Sequence, residues 1–121
     1  MASITMRTFD DPDETRRPDK TQMDIVDLGT AKVARLTAQP GWTWSECIRP
    51  IAGTDSCQTR HVGVVQSGSL TVTQDDGTEM VLTAGNVYVI EPGHDARNDG
   101  DQPFVALEFE SHTAEMYAKD S

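Results

Sequence analysis

The sequence predicts an all-β domain, a small antiparallel barrel or jelly roll that is preceded by an irregular N-terminal arm. Short segments in which apolar and polar residues alternate recur along the chain, and glycine, proline, asparagine and aspartate separate them at short, regular intervals. No apolar pattern of helical period extends beyond one or two turns. We therefore expect about eight to ten short strands, a number typical of sandwiches and barrels.

The length of 121 residues suits a single domain with a core of its own. Residues 1–20 are polar and charged and show no periodicity, which predicts a flexible or irregular arm with Phe9 as its candidate anchor. Residues 21–121 are the predicted β-barrel domain. Within residues 111–121 the sequence allows no more than one short helical turn.

The candidate strands follow one another in order along the domain. Gly29 ends the first, the segment QPG separates the second from the third, and Gly77 in the segment DDG predicts a hairpin because glycine readily adopts positive φ. Alternation in WTWSECI predicts a strand with Trp42 and Trp44 on one face. The candidate strand segments are 23–29, 31–38, 42–48, 59–66, 70–74, 78–85, 86–93 and 104–110.

Charge and composition exclude several classes of partner. The net charge is −10, and residues 1–20 contribute only −1 of it, so the domain itself is acidic and would repel a phosphate backbone. No run of 18 apolar residues predicts a membrane span. Without a recognisable secretion signal we expect a cytoplasmic protein whose Cys47 and Cys57 are free thiols.

Cys57, His61 and His94 are the candidate metal ligands. His94 follows Pro92 and Gly93 at a turn, whereas His112 lies in the polar tail and is a weak candidate. On a straight strand, Cys57 and His61 would be about 13 Å apart, too far for one metal ion. The site therefore requires the chain to bend between them.

From Gly41 to Phe109 the sequence resembles the cupin superfamily. In the segment HVGVVQSG, His61 stands where the first cupin motif has its glutamate, and Cys57 and Asp55 fall at the positions of the preceding histidines. The segment GNVYVIEPGHDA resembles the second motif. The sequence more closely resembles a small single-domain subgroup, through the following residues: Gly41, Trp42, Trp44, Ser45, Cys57, His61, Gly63, Gly68, Leu70, Val72, Asp76, Gly77, Gly85, Pro92, Gly93, His94, Asp95 and Ala96.

The resemblance implies a jelly-roll barrel in which Cys57, His61 and His94 point inward and converge. One thiolate and two imidazoles suit zinc, while iron(II) would be expected with more histidine and carboxylate ligands. Asp55, Asp95, Glu108 or water are the candidates for a fourth ligand. The sequence leaves the identity of the metal open.

Three functions remain open from the sequence. The first is a metal-dependent protein that holds a small ligand in the barrel, with an unassigned reaction in which Glu108 or Asp95 would act as base. The second is a sensor or binding module without turnover. The third is a metal-free barrel that functions as a dimer, and the resemblance implies a homodimer in any of these cases.

Overall fold

Two antiparallel sheets and two short helices make up the computed structural model, which describes residues 3–109. The elements are β1 (Glu14–Arg16), β2 (Thr21–Asp27), β3 (Lys32–Ala38), α1 (Trp44–Cys47), α2 (Arg49–Ala52), β4 (His61–Ser67), β5 (Ser69–Gln74), β6 (Glu79–Thr83), β7 (Val87–Ile90), β8 (His94–Arg97) and β9 (Phe104–Phe109). His112 and residues 111–121, for which the sequence allows at most one short helical turn, lie outside the described residues. Among the described helices, none has the length and apolar character needed to cross a membrane.

The strands form a six-stranded sheet, in the order β1-β2-β3-β9-β4-β7, and a three-stranded sheet, in the order β6-β5-β8. Every strand pair is antiparallel. Strands adjacent in sequence are often in different sheets, so the chain crosses repeatedly between the two layers. The predicted all-β jelly roll is thereby confirmed.

The core lies between the two sheets and follows the period of two that strands impose. On β3, Ala34, Leu36 and Ala38 are buried, whereas Val33 and Arg35 are half-buried on the opposite face. The largest buried side chains of the described residues include Met23 and Phe104 from the strands, together with Trp42 and Trp44 from the segment around α1.

The predicted hairpin at the segment DDG is present between β5 and β6. Gly77 has a φ of 93°, a region that side-chain-bearing residues rarely adopt, and its N–H donates to the Gln74 carbonyl at 2.9 Å. The turn holds β5 and β6 in register from Ser69 opposite Thr83 to Thr73 opposite Glu79.

The prediction of a strand over residues 42–48 is wrong, because the chain forms helix α1 there. Thr43 is the N-cap, with extended backbone, and its Oγ1 accepts a hydrogen bond from the Glu46 N–H at 3.1 Å. The Asp95 carboxylate accepts a second bond from the Ser45 N–H at 3.2 Å. Two oxygen acceptors for the first-turn donors favour a helix over the strand that alternation alone predicted.

Part of the segment predicted as an irregular arm is a strand, since β1 pairs with β2 from Glu14 opposite Ile25. The rest of residues 3–20 has little regular structure. The guanidinium of Arg35 lies over the Phe9 ring at 4.9 Å from its centre, a cation–π contact between the arm and β3. Thr15 also bonds the buried Asp24 carboxylate at 2.9 Å.

Candidate metal centre

Cys57, His61 and His94 converge inside the barrel. The Cys57 Sγ lies 3.5 Å from the His61 Nε2, and the two imidazole rings meet edge to face with their centres 5.0 Å apart. One potential ligand atom from each residue lies within 4.8 Å of the others. All three side chains are buried, so the cluster is part of the interior rather than a surface feature.

The bend that the sequence analysis required lies just before β4. Cys57 precedes the strand and pairs through its backbone with His94: its N–H donates to the His94 carbonyl at 2.7 Å, and its own carbonyl accepts from the Gly93 N–H at 2.7 Å. His61 is the first residue of β4. The thiol therefore reaches the ring of His61 from a neighbouring segment, and the 13 Å spacing of a straight strand does not apply.

Hydrogen bonds on the far side of each ring fix the imidazole orientations. The Nδ1 of His94 lies 2.7 Å from the Glu91 carbonyl, which can only accept, so this nitrogen carries the proton. The Nδ1 of His61 lies 3.1 Å from Glu108 Oε1, and the Tyr88 hydroxyl donates to Glu108 Oε2 at 2.8 Å. In both rings Nε2 is consequently the nitrogen suited to a metal, an arrangement typical of metal-binding histidines.

Electrostatics favour a thiolate beside an imidazolium in the metal-free site. Burial would raise the pKa of the Cys57 thiol, but hydrogen bonds with His61 and His94 outweigh it and lower the pKa from 9.0 to about 6. Burial would likewise lower the pKa of the His61 imidazole, but the charge of Glu108 raises it from 6.5 to about 10. Thiolate is the form of cysteine that binds metals.

A small cavity adjoins the cluster within the barrel. Its volume is about 20 Å³, enough for one water molecule. His61, His94, Tyr88 and Glu108 line it, together with the rings of Trp42 and Trp44 and several aliphatic side chains.

A larger groove opens between β6 and β7, which are edge strands of the two sheets. It encloses about 630 Å³ and is mainly apolar, with Gln74, Thr78 and Asn86 as polar exceptions. Tyr88 and Ile90 line both this groove and the interior cavity, so these two side chains separate the groove from the cluster.

The three carboxylates that the sequence offers as a fourth ligand lie in different surroundings. Asp55 points to solvent and forms an ion pair with Arg49 at 3.1 Å. Asp95 caps α1 through the Ser45 N–H. Only Glu108 adjoins the cluster, and it contacts His61 Nδ1 rather than the side that faces the thiol.

Sequence reasoning missed several residues of the site. It left the orientation of Glu108 open, although the residue lies on the buried face of β9 with Phe104 and Ala106. Tyr88, which orients Glu108, was not singled out, although alternation within β7 places it on the inner face. The Glu91 carbonyl could not have been found, because backbone acceptors have no sequence signal.

Residues 56–110 match the family model of the cupin domain. The fold is that of a cupin. None of the curated proteins matches the sequence. Similar solved structures include an uncharacterised conserved protein with a double-stranded β-helix domain from Klebsiella pneumoniae, which has 22% identity and a TM-score of 0.56 over 90% of this chain and 89% of that one.

Two enzymes are also similar in fold. A sugar phosphate isomerase from Silicibacter pomeroyi has 18% identity and a TM-score of 0.63, over 87% of this chain and 74% of that one. A Bacillus subtilis oxalate decarboxylase, which has Mn(II) centres, has 23% identity and a TM-score of 0.55, over 79% of this chain. The chain spans only 27% of that enzyme's length.

Proposed function

We propose that the protein is a cupin-type protein that binds one divalent metal ion, zinc, through Cys57 Sγ and the Nε2 atoms of His61 and His94, and that a small ligand completes the coordination. The observation that carries this proposal is the hydrogen bond at Nδ1 of each imidazole ring, His61 and His94. Because Nδ1 of both histidines donates to an oxygen acceptor, Nε2 is the nitrogen of each ring that can bind a metal together with the thiol.

The donor set favours zinc over manganese or iron. Thiolate is a soft ligand that suits zinc, whereas manganese is bound mainly through carboxylate, carbonyl and water oxygens. The similar oxalate decarboxylase holds Mn(II), but the cluster found here includes the Cys57 sulfur. Three protein ligands with one position left for another ligand form the open type of zinc site, rather than the closed structural type.

Binding without turnover is the favoured form of this function. Glu108, the carboxylate nearest the cluster, is already bonded to His61 and Tyr88, and Asp95 is occupied at the start of α1. Neither carboxylate is therefore placed as a free general base. A metal-dependent enzyme remains the alternative, and turnover of any substrate would establish it.

The groove favours a small uncharged ligand. The described residues that line the groove and the interior cavity include neither lysine nor arginine. A phosphorylated sugar, the substrate class named for the Silicibacter protein, would find no cationic side chain in the groove to pair with its phosphate. A mainly apolar molecule matches the lining better.

Metal analysis of untagged protein tests the proposal, with Cys47→Ala as a matched control for Cys57→Ala. Both cysteines are buried free thiols, so both variants lose the same small volume from the interior. We expect about one zinc ion per chain in the wild type and in Cys47→Ala, and almost none in Cys57→Ala or His94→Ala. Absence of zinc uptake by the wild-type protein at neutral pH would refute the proposal.

We further propose that the protein is a homodimer that pairs through an outer apolar face on β7, β4 and β9. This face consists of Val62, Val64, Val87, Val89, Leu107 and Phe109. The side chains form continuous rows, since Val62 lies between Val89 and Phe109, and Val64 lies between Val87 and Leu107. Val87 is 79% exposed and Val89 is 54% exposed.

A second copy fits this face because it carries no charged side chain in a chain whose net charge is −10. Two copies that meet there avoid the like-charge repulsion they would meet over an acidic surface. Three strands about 4.8 Å apart, each apolar on this face over about 10 Å, give roughly 150 Å². Met6 of the arm lines a cavity with Val33, which pairs with Phe109, so the arm adds apolar area toward the roughly 800 Å² per partner of a stable interface.

Molar mass by light scattering tests the homodimer. Val89→Asp should convert the dimer to a monomer, whereas Val81→Asp should not, because Val81 is equally exposed, at 54%, but lies on the smaller sheet. A wild-type monomer at tens of micromolar would contradict the assignment, as would equal effects of the two substitutions.

A further inference from the structure

The indole N–H of Trp44 has no hydrogen-bond partner among residues 3–109. The side chain is only 2% exposed, so bulk water does not satisfy it. An unsatisfied buried donor costs about 1–3 kcal/mol, which makes such a group uncommon in a folded protein. Trp42 provides the contrast: it is equally buried, and its Nε1 donates to Thr21 Oγ1 at 2.7 Å.

Trp44 lines the same small cavity as His61, His94 and Glu108. The volume of about 20 Å³ holds one water molecule, provided that two or more polar groups bind it. The indole N–H supplies a donor, the carboxylate of Glu108 is an acceptor, and the imidazoles add further polar atoms. The cavity therefore combines the right size and the right groups for one oxygen atom.

The position of Trp44 is fixed by the start of α1, of which it is the first residue. Thr43 caps the helix on one side, and Asp95, the neighbour of His94, binds the Ser45 N–H on the other. The indole is thus held by a local structure that is tied directly to β8, the strand that begins with His94. A chance orientation of a loop side chain would not have these restraints.

We propose that the Trp44 Nε1–H is the hydrogen-bond donor for one oxygen atom of a small oxygen-donor ligand in this cavity, and that this ligand is water in the resting protein. The inference extends the proposed metal site, since the oxygen lies beside the imidazoles where a fourth ligand is required. Trp44 is therefore a positioning residue for that ligand, and the ligand atom it contacts must be able to accept a hydrogen bond, because the indole N–H can only donate.

Indole N–H resonances provide the test, because the chain has two tryptophans and Trp42→Phe and Trp44→Phe assign the two signals. In metal-free wild-type protein, we expect a magnetisation transfer from a long-lived water to the Trp44 N–H and none to the Trp42 N–H. Zinc addition should shift the Trp44 signal more than the Trp42 signal. No water contact at Trp44, or equal contacts at both indoles, would overturn the inference.

Zinc affinity of the two phenylalanine variants gives a second readout. Trp44→Phe should weaken zinc binding about 2- to 10-fold, the loss of one hydrogen bond to a coordinated ligand. Trp42→Phe loses the same volume from the same cavity lining but no hydrogen bond to the ligand, so it should weaken zinc binding less than Trp44→Phe does, while unfolding more easily through loss of the Thr21 bond. Equal zinc affinities would contradict the role of Trp44.

The two proposals fail separately in these experiments. If the wild type takes up no zinc but the Trp44 N–H contacts a bound water, the metal proposal is refuted and the water site stands. If zinc binds in equimolar amount and Trp44 contacts no water and does not respond, the metal site stands and the role of Trp44 is refuted.

Discussion

Gly63→Ala tests whether the side chains behind His61 are held as tightly as the structure shows. Gly63 lies on β4 opposite both Tyr88 and Glu108 in the adjacent strands. A methyl group there would overlap the Leu107 carbonyl oxygen and lie 2.7 Å from the Tyr88 hydroxyl oxygen and 2.8 Å from its ring carbon. These separations are far below ordinary van der Waals contact, and the carbonyl belongs to backbone that cannot rotate away.

The substitution should therefore cost about 2–3 kcal/mol of unfolding free energy, at the upper end of overpacking penalties. It should also displace the Tyr88 hydroxyl from Glu108 and lower zinc affinity by about 10-fold or more, as expected when a group that orients a ligand is lost. Urea unfolding with a chelator present measures the first effect, and a competition titration with a zinc-binding dye measures the second.

Gly100→Ala is the matched control, since Gly100 also lacks a positive φ and its added methyl group would lie 3.3 Å from the Asn98 Oδ1. We expect it to change unfolding free energy by less than about 1 kcal/mol. A Gly63→Ala protein as stable as the control, with wild-type zinc affinity, would refute the close packing of Tyr88 against β4.

Three further predictions concern the site itself. Glu108→Gln should weaken zinc binding about 10- to 100-fold in the dye competition, because His61 loses a charged acceptor; unchanged affinity would contradict its orienting role. In metal-free protein, the ultraviolet absorbance of the Cys57 thiolate should titrate near pH 6 rather than 9.0. The thiolate's contribution to the free energy of unfolding should be complete above pH 9 and lost as the pH falls through 6. A titration midpoint above 8 would argue against the imidazole contacts. Asp95→Ala should lose about 1 kcal/mol in urea unfolding, because the Ser45 N–H loses its acceptor, yet keep its zinc; loss of zinc would make Asp95 a ligand after all.

The fold was accessible from the sequence because alternation and turn residues carry it. The segment LTVTQ followed by DDG became β5 and its hairpin, and the glycine at the turn has the positive φ expected of it. Alternation failed at Trp44, where the same pattern starts a helix. The capping groups favour a helix at this position. One of them, Asp95, accepts a hydrogen bond from the Ser45 N–H although it lies 50 residues away in the sequence.

The sequence identifies the three candidate ligands, but not the backbone pairing that brings them together. Spacing alone argued against Cys57 and His61, since a straight strand separates them. The contact depends on the backbone pairing of Cys57 with His94, a long-range interaction without any local signal. The outer apolar face could not be predicted either. Alternation assigns one face of each strand to the core and predicts a polar face opposite, but Val62 and Val89 are apolar side chains on that opposite face.

X-ray absorption at the zinc edge, on wild-type protein that carries one zinc ion per chain, tests the metal centre most directly. We expect one sulfur at about 2.3 Å and two imidazole nitrogens at about 2.0–2.1 Å, with a light atom in the remaining position. A coordination shell without sulfur, or with the imidazole of only one histidine, would contradict the proposed metal centre.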